Sequence, residues 1–314
     1  MSLAFVFPGQ GAQTIGMGRD LAEAYPVARA IFDEVDEALG ENLSTLIWEG
    51  EQEALTLTQN AQPALMATSI AALRALEAEG VSIADVSFVA GHSLGEYSAL
   101  CAAGAFSVAD TAKLLRRRGL AMQAAVPVGV GAMAAILGLD IEAVRGVAAD
   151  AAEGEVCAVA NDNDPAQVVV SGHKAAVERA AVLAKERGAK RALMLPVSAP
   201  FHCELMEPAA REMAAALGDV DMNYLRVPVV VNVLARPCSD ATDIASLLVE
   251  QVTQAVRWRE SVEWMAGEGG VTAFWEIGAG KALSGMIRRI AIEAKTRTVG
   301  TSGDVVAAVE ALKG

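Results

Sequence analysis

The chain has 314 residues, enough for one large domain or two moderate ones with a substantial core. Its formal net charge of −14 argues against nucleic acid and anionic membranes as main partners. With 53% hydrophobic but only 4% aromatic residues, that core has to be built from Ala, Val and Leu.

The N-terminus, MSLAFVFPGQ, lacks a basic n-region and a long apolar run, so no secretory signal is expected. Leu3 to Phe7 reads as a buried strand, and Pro8-Gly9-Gln10-Gly11-Ala12-Gln13 follows it. Thr14 stands where a dinucleotide fingerprint needs its third glycine, so this loop is no nucleotide cradle. Its glycines instead permit close backbone approach and could bring a second oxyanion donor to a neighbouring site. Gln62 to Gly80 reads as a helix, and Val86 to Ala90 as a second buried strand.

That strand stops at Gly91-His92-Ser93-Leu94-Gly95, a G-x-S-x-G with a strand before it and helix-compatible sequence after it. A tight strand-to-helix turn strains the serine backbone, exposes the hydroxyl and aims helical N–H groups at a nearby oxyanion. The plainer alternative is Ser93 as an ordinary helix cap.

Val108 to Ala124 reads as the next helix and carries Arg116-Arg117-Arg118. A solvated face fits Arg116 and, for the most part, Arg117. Arg118 has Leu114, Leu115, Ala121 and Met122 at i−4, i−3, i+3 and i+4, which puts it on the buried stripe. A buried guanidinium needs an anion, and either a structural carboxylate or a substrate carboxylate would serve. Residues 119 to 139 carry no charge, but Pro127 and four glycines interrupt them, so a loop and strand are expected rather than a membrane span.

A separate rhythm follows: strand Ala132 to Leu137, a helix opened by Asp140, and strand Val156 to Ala160. After a turn over Asn161-Asp162-Asn163-Asp164-Pro165 come strand Ala166 to Ser171, helix Lys174 to Arg187 and strand Arg191 to Leu195. This β-α-β-β-α-β order is the ferredoxin-like split unit, placed at 130–197 and inserted between 1–129 and 198–314. Val227 to Val233 and Ala273 to Ile277 return to the buried-strand pattern, with helix Ala241 to Gln251 between them. Strand–helix alternation with continuous apolar strands makes the larger part a mainly parallel α/β sheet covered on both faces. Gly278-Ala279-Gly280-Lys281 lacks phosphate-loop spacing, and no His/Cys/Asp/Glu cluster has metal-ligand spacing.

A serine nucleophile needs a base, and the chain has three histidines. His92 adjoins Ser93, and its side chain should diverge from it and support the loop. His173 looks like a solvated helix start. His202, in Pro196-Val197-Ser198-Ala199-Pro200-Phe201-His202-Cys203, lies where the chain re-enters the large unit, a junction where clefts form, and leads by elimination. Cys101, Cys157, Cys203 and Cys238 show no C-x-x-C spacing, so reduced thiols of a cytoplasmic protein are expected.

Taken together, several segments resemble the bacterial malonyl-CoA:acyl carrier protein transacylases and, more distantly, polyketide synthase acyltransferase domains. The segments are Phe5-Val6-Phe7-Pro8-Gly9-Gln10-Gly11, Gly91 to Leu100, Arg118-Gly119, Gly131 to Ile136, Gln167 to Gly172, Phe201-His202, Glu250-Gln251 and Glu276-Ile277-Gly278. The resemblance implies an α/β-hydrolase-like large domain, a ferredoxin-like small one and an active site between them. It implies Ser93 as nucleophile, His202 as its base, and backbone N–H groups of Gln10 and Leu94 as the oxyanion hole. Arg118 matches the residue pairing with the malonyl carboxylate, and Gln251 the one whose backbone carbonyl holds the imidazole. Phe201 stands where bulk disfavours a branched C2. The activity implied is ping-pong malonyl transfer from malonyl-CoA to the phosphopantetheine thiol of acyl carrier protein, in fatty acid or polyketide synthesis. A monomer with no cofactor of its own is expected, and Lys190-Arg191, with Arg116 and Arg117, is a candidate basic patch for the acidic carrier. The alternatives are a serine thioesterase or hydrolase, and a non-catalytic acyltransferase-like binding module.

Overall fold

Short apolar runs without polar alternation have to be covered on both faces, and they form the middle of the larger of two sheets. The computed structural model describes residues 2–197 and 199–313. Among these, the strands are β1 Leu3–Phe7, β2 Phe88–Gly91, β3 Gly131–Leu137, β4 Cys157–Asp164, β5 Gln167–His173, β6 Arg191–Met194, β7 Val229–Val231, β8 Arg236–Cys238, β9 Ala273–Ile277 and β10 Lys295–Val299. The larger sheet runs β10-β9-β1-β2-β7-β8. Its neighbours are parallel except β7 and β8, which are antiparallel. Every residue of β1, β7 and β9 is buried. Both edge strands are polar, Lys-Thr-Arg-Thr-Val at β10 and Arg-Pro-Cys at β8, which hid them from an apolar-run search. Charge and proline at an edge also discourage pairing with another chain.

The smaller sheet is antiparallel, in the order β4-β5-β3-β6. Helices Ile141–Ala152 and Lys174–Glu186 cover one face with Val, Ala and Ile side chains. The β-α-β-β-α-β order is as expected. The turn expected over Asn161 to Pro165 is not: β4 continues to Asp164, and the chain reverses only at Pro165-Ala166. Tertiary partners override the local turn signal, because this end of β4 is fastened to the larger unit. Asp162 N–H donates to Val256 O at 3.0 Å and Val256 N–H to Ala160 O at 2.9 Å. The Asp162 carboxylate pairs with Arg259 at 2.9 Å, and that of Asp164 with Arg289 at 2.7 Å.

The uncharged stretch resolves into the end of helix Val108–Ala124, a loop and β3. Among the described residues no helix is long and apolar enough to cross a membrane. Ser198, the expected point of re-entry into the larger unit, lies outside the described residues.

Candidate active site

At the end of β2 the chain turns into helix Leu94–Ala103 through a backbone that fits only with glycines on either side of the turn. A Cβ on Gly91 would lie 1.9 Å from the Gly95 carbonyl, and one on Gly95 would lie 2.2 Å from Phe7 O. Ser93 has φ 54 and ψ −109, in the positive-φ half where L-residues seldom sit. It caps nothing with its side chain, so the helix-cap alternative falls. The turn is held by Asn232, at the end of β7: its Oδ1 accepts from Ser93 N–H at 2.8 Å and its Nδ2 donates to Gly91 O at 2.7 Å.

Ser93 Oγ lies 2.9 Å from His202 Nε2, and His202 Nδ1 lies 2.8 Å from the Gln251 carbonyl oxygen. A carbonyl only accepts, so Nδ1 carries the proton and Nε2 is left bare towards the hydroxyl. His202 is buried, with φ 58. Burial first, and the nearby Arg118 charge second, push its pKa down to about 3. The imidazole is therefore neutral at physiological pH, the form a general base requires.

Arg118 is 1% exposed, and its hydrogen bonds go to neutral oxygens. Nη1 donates to Gln62 Oε1 at 2.8 Å, and Nη2 to Gln251 Oε1 at 2.9 Å and to Ser93 Oγ at 3.1 Å. Its Nε has no hydrogen-bond partner among the described residues, and its Cζ stands 5.6 Å from the Tyr97 ring centroid. A buried cation with amide partners and a free edge has donor capacity left with which an anion could pair.

These groups open into a cavity of about 310 Å³ between the two sheets. Gln10, Leu94, Arg118, Phe201 and both Ser93 and His202 line it, with Met122 and Met133 supplying apolar wall. His92 turns from Ser93 and bonds Asn163 Oδ1 through Nε2 at 2.8 Å, the loop-supporting place expected of it. His173 is half-buried rather than solvated, its Nδ1 accepting from Val156 N–H at 2.9 Å. Arg116 and Arg117 are not a free basic face. Arg116 pairs with Glu41 and Asn60, and Arg117 with Glu212 and Asp219. Lys190 and Arg191 are exposed.

Sequence reasoning missed Asn232, Gln62 and Glu96, all buried beneath the site. The signal was there: an asparagine inside the apolar run Val227 to Val233, and a glutamate whose i+3 and i+4 neighbours are Ala99 and Leu100. The argument applied to Arg118 applies to both.

The acyl transferase domain family matches residues 4–299. The malonyl CoA-acyl carrier protein transacylase of Bacillus subtilis is 49% identical over 99% of this chain and 97% of its own length. That of Escherichia coli K12 is 47% identical over 91% and 92%. The crystal structure of an acyl-carrier-protein-S-malonyltransferase from Bartonella henselae superimposes with a TM-score of 0.97 at 54% identity, covering both chains completely. A malonyl-transacylase solved with its type II polyketide acyl carrier protein gives 0.96 at 42% identity, covering 99% of this chain and all of that one. Along nearly its whole length, the chain belongs to the acyl transferase domain family, among the malonyl-CoA:acyl carrier protein transacylases.

Proposed function

We propose that the protein transfers the malonyl group of malonyl-CoA to the phosphopantetheine thiol of acyl carrier protein through a malonyl-serine. His202 takes the Ser93 proton as Oγ attacks the thioester carbonyl; the oxyanion is received by the N–H groups of Gln10 and Leu94, and CoA leaves as the thiol. The carrier thiol then attacks the ester, with His202 accepting its proton and returning one to Ser93. The Gln251 carbonyl holds the imidazole where a full triad has a carboxylate. Arg118 binds the free malonyl carboxylate, and Phe201 crowds a branched C2.

The observation that carries this reading is Arg118, a buried cation that hydrogen-bonds no carboxylate among the described residues, 3.1 Å from the Ser93 oxygen. A thioesterase has no use for it. An acetyl group would leave the guanidinium unpaired and is rejected for that reason. We place the two sheets in an α/β-hydrolase-like unit, 1–129 and 198–314, and a ferredoxin-like unit, 130–197. We expect a cytoplasmic monomer without a cofactor of its own, with Lys190 and Arg191 as the basic contacts for an acidic carrier.

Incubation with labelled malonyl-CoA should leave label on Ser93 that holo acyl carrier protein discharges and Ser93→Ala abolishes. Rapid discharge by water alone would overturn the transferase reading in favour of a hydrolase.

A further inference from the structure

Glu96 is a carboxylate sealed beneath the nucleophile turn, three residues after Ser93 and 1% exposed. Its backbone N–H donates to Ser93 O at 3.0 Å, but its carboxylate bonds neither Ser93 nor His202. Its Oε2 accepts two bonds, from Asn232 N–H at 3.0 Å and from Gln251 Nε2 at 2.9 Å. Gln251 is the residue that ties the site together. Its backbone carbonyl takes the His202 Nδ1 proton, its Oε1 takes Arg118 Nη2, and its Nε2 also donates to Ser93 O at 3.0 Å.

The two ends of a glutamine amide are nearly equal in shape and opposite in hydrogen bonding. Turned over, the Gln251 amide would set its NH2 against the Arg118 guanidinium, donor against donor, and its oxygen against Ser93 O and Glu96 Oε2, acceptor against acceptor. The acceptor at Glu96 forbids this together with Arg118 Nη2 and Ser93 O. Burial acts against that carboxylate, raising its pKa to about 7, while the bonds from Gln251 and Asn232 and then the nearby Arg118 charge draw it back. A charged residue kept in so unfavourable a place has partners that need an oxygen there.

We propose that Glu96 is a positioning residue that orients the Gln251 side-chain amide and through it fixes both the His202 base and the Arg118 guanidinium. This inference rests on the acyl-transfer reading above. It requires an acceptor oxygen at Glu96 and no negative charge, so glutamine should serve and a hydrocarbon should not.

The test is transfer to holo acyl carrier protein per active site, with sites counted by covalent labelling of Ser93. Glu96→Leu should lower malonyl kcat/KM per labelled site about 100-fold and erode the preference for malonyl over acetyl. Glu96→Gln should recover transfer to within about fivefold of the native enzyme, because its Oε1 accepts both bonds. Gln251→Met, which removes the amide but keeps the carbonyl, should lose as much as Glu96→Leu. The double variant should lose no more than either single one.

Native rates per labelled site in Glu96→Leu overturn the proposal, since a purely structural glutamate changes only the number of sites. Failure of Glu96→Gln to recover activity overturns it too, because charge would then be what matters. Should Glu96→Leu not fold, native-like transfer by Gln251→Met refutes the amide link by itself. A native protein that malonyl-CoA never labels at Ser93 would defeat the acyl-transfer reading instead.

Discussion

Ser93, His202 and Arg118 form a closed set of three in which each changes the others. The Arg118 Nη2 bond to Ser93 Oγ sets a positive charge beside that oxygen, which in the proposed mechanism favours the alkoxide character that develops as the proton leaves. The same charge, after burial, depresses His202. The sign follows directly: a lowered imidazole pKa leaves the neutral base present at acidities where a free histidine is protonated. Inactivation of Ser93 by a neutral sulfonyl fluoride should therefore persist well below pH 6.5 in the native enzyme. In Arg118→Met its acid limb should move to higher pH, because one of the two depressing influences is gone. An unchanged limb would show that Arg118 does not act on the base. Such couplings were only half legible in the sequence. The helical spacing put Arg118 on a buried stripe, but it left a structural carboxylate and a substrate carboxylate equally open. The structure gives Arg118 amide partners at Gln62 and Gln251, with the buried Glu96 carboxylate near it but not hydrogen-bonded to it.

The turn between β2 and helix Leu94–Ala103 is where elements store the strain that presents the hydroxyl. A non-glycine residue at φ 54, ψ −109 costs about 1–3 kcal/mol and persists because Asn232 and Gln251 grip the backbone on both sides. Glycine tolerates that conformation, although it also gains freedom in the unfolded chain. Ser93→Gly should thus be about 1 kcal/mol more stable than Ser93→Ala by denaturant unfolding, since both lack the hydroxyl. Equal stability, or a more stable alanine variant, would mean the turn is unstrained. The G-x-S-x-G turn could be read directly because its glycines answer to sterics within a few residues. β4 could not: Asn161 to Asp164 carry every local mark of a turn, yet they bond to His92, Arg259 and Arg289 from distant elements. The edge strands β8 and β10 escaped for the converse reason, since polar edges are selected against looking like strands.

At the scale of the molecule, the two sheets meet along the cavity and supply different halves of the chemistry. The larger sheet brings Ser93, Arg118 and Gln251 together from the ends of β2 and two helices. His202 comes from the stretch that leaves the smaller sheet after β6. The fastening of β4 by Arg259 and Arg289 sets the distance between these halves, with Asn163 reaching His92 in the wall of the cavity. The strand–helix architecture and the histidine that lies against Ser93 were legible because strand rhythm and elimination among three histidines required no knowledge of contacts. The buried polar layer of Glu96, Asn232 and Gln62 was not, because single polar residues in apolar runs announce burial without naming a partner.

In the proposed function the buried Arg118 selects an acyl group bearing a carboxylate, and that selectivity separates malonyl from acetyl transfer. It is tested most directly by steady-state transfer from malonyl-CoA and acetyl-CoA to holo acyl carrier protein, comparing native enzyme with Arg118→Ala. Malonyl kcat/KM should fall by about 10²–10³-fold, as expected for removing one member of a buried charge pair, while acetyl transfer holds or rises. An Arg118→Ala enzyme that keeps the native preference for malonyl would contradict the account.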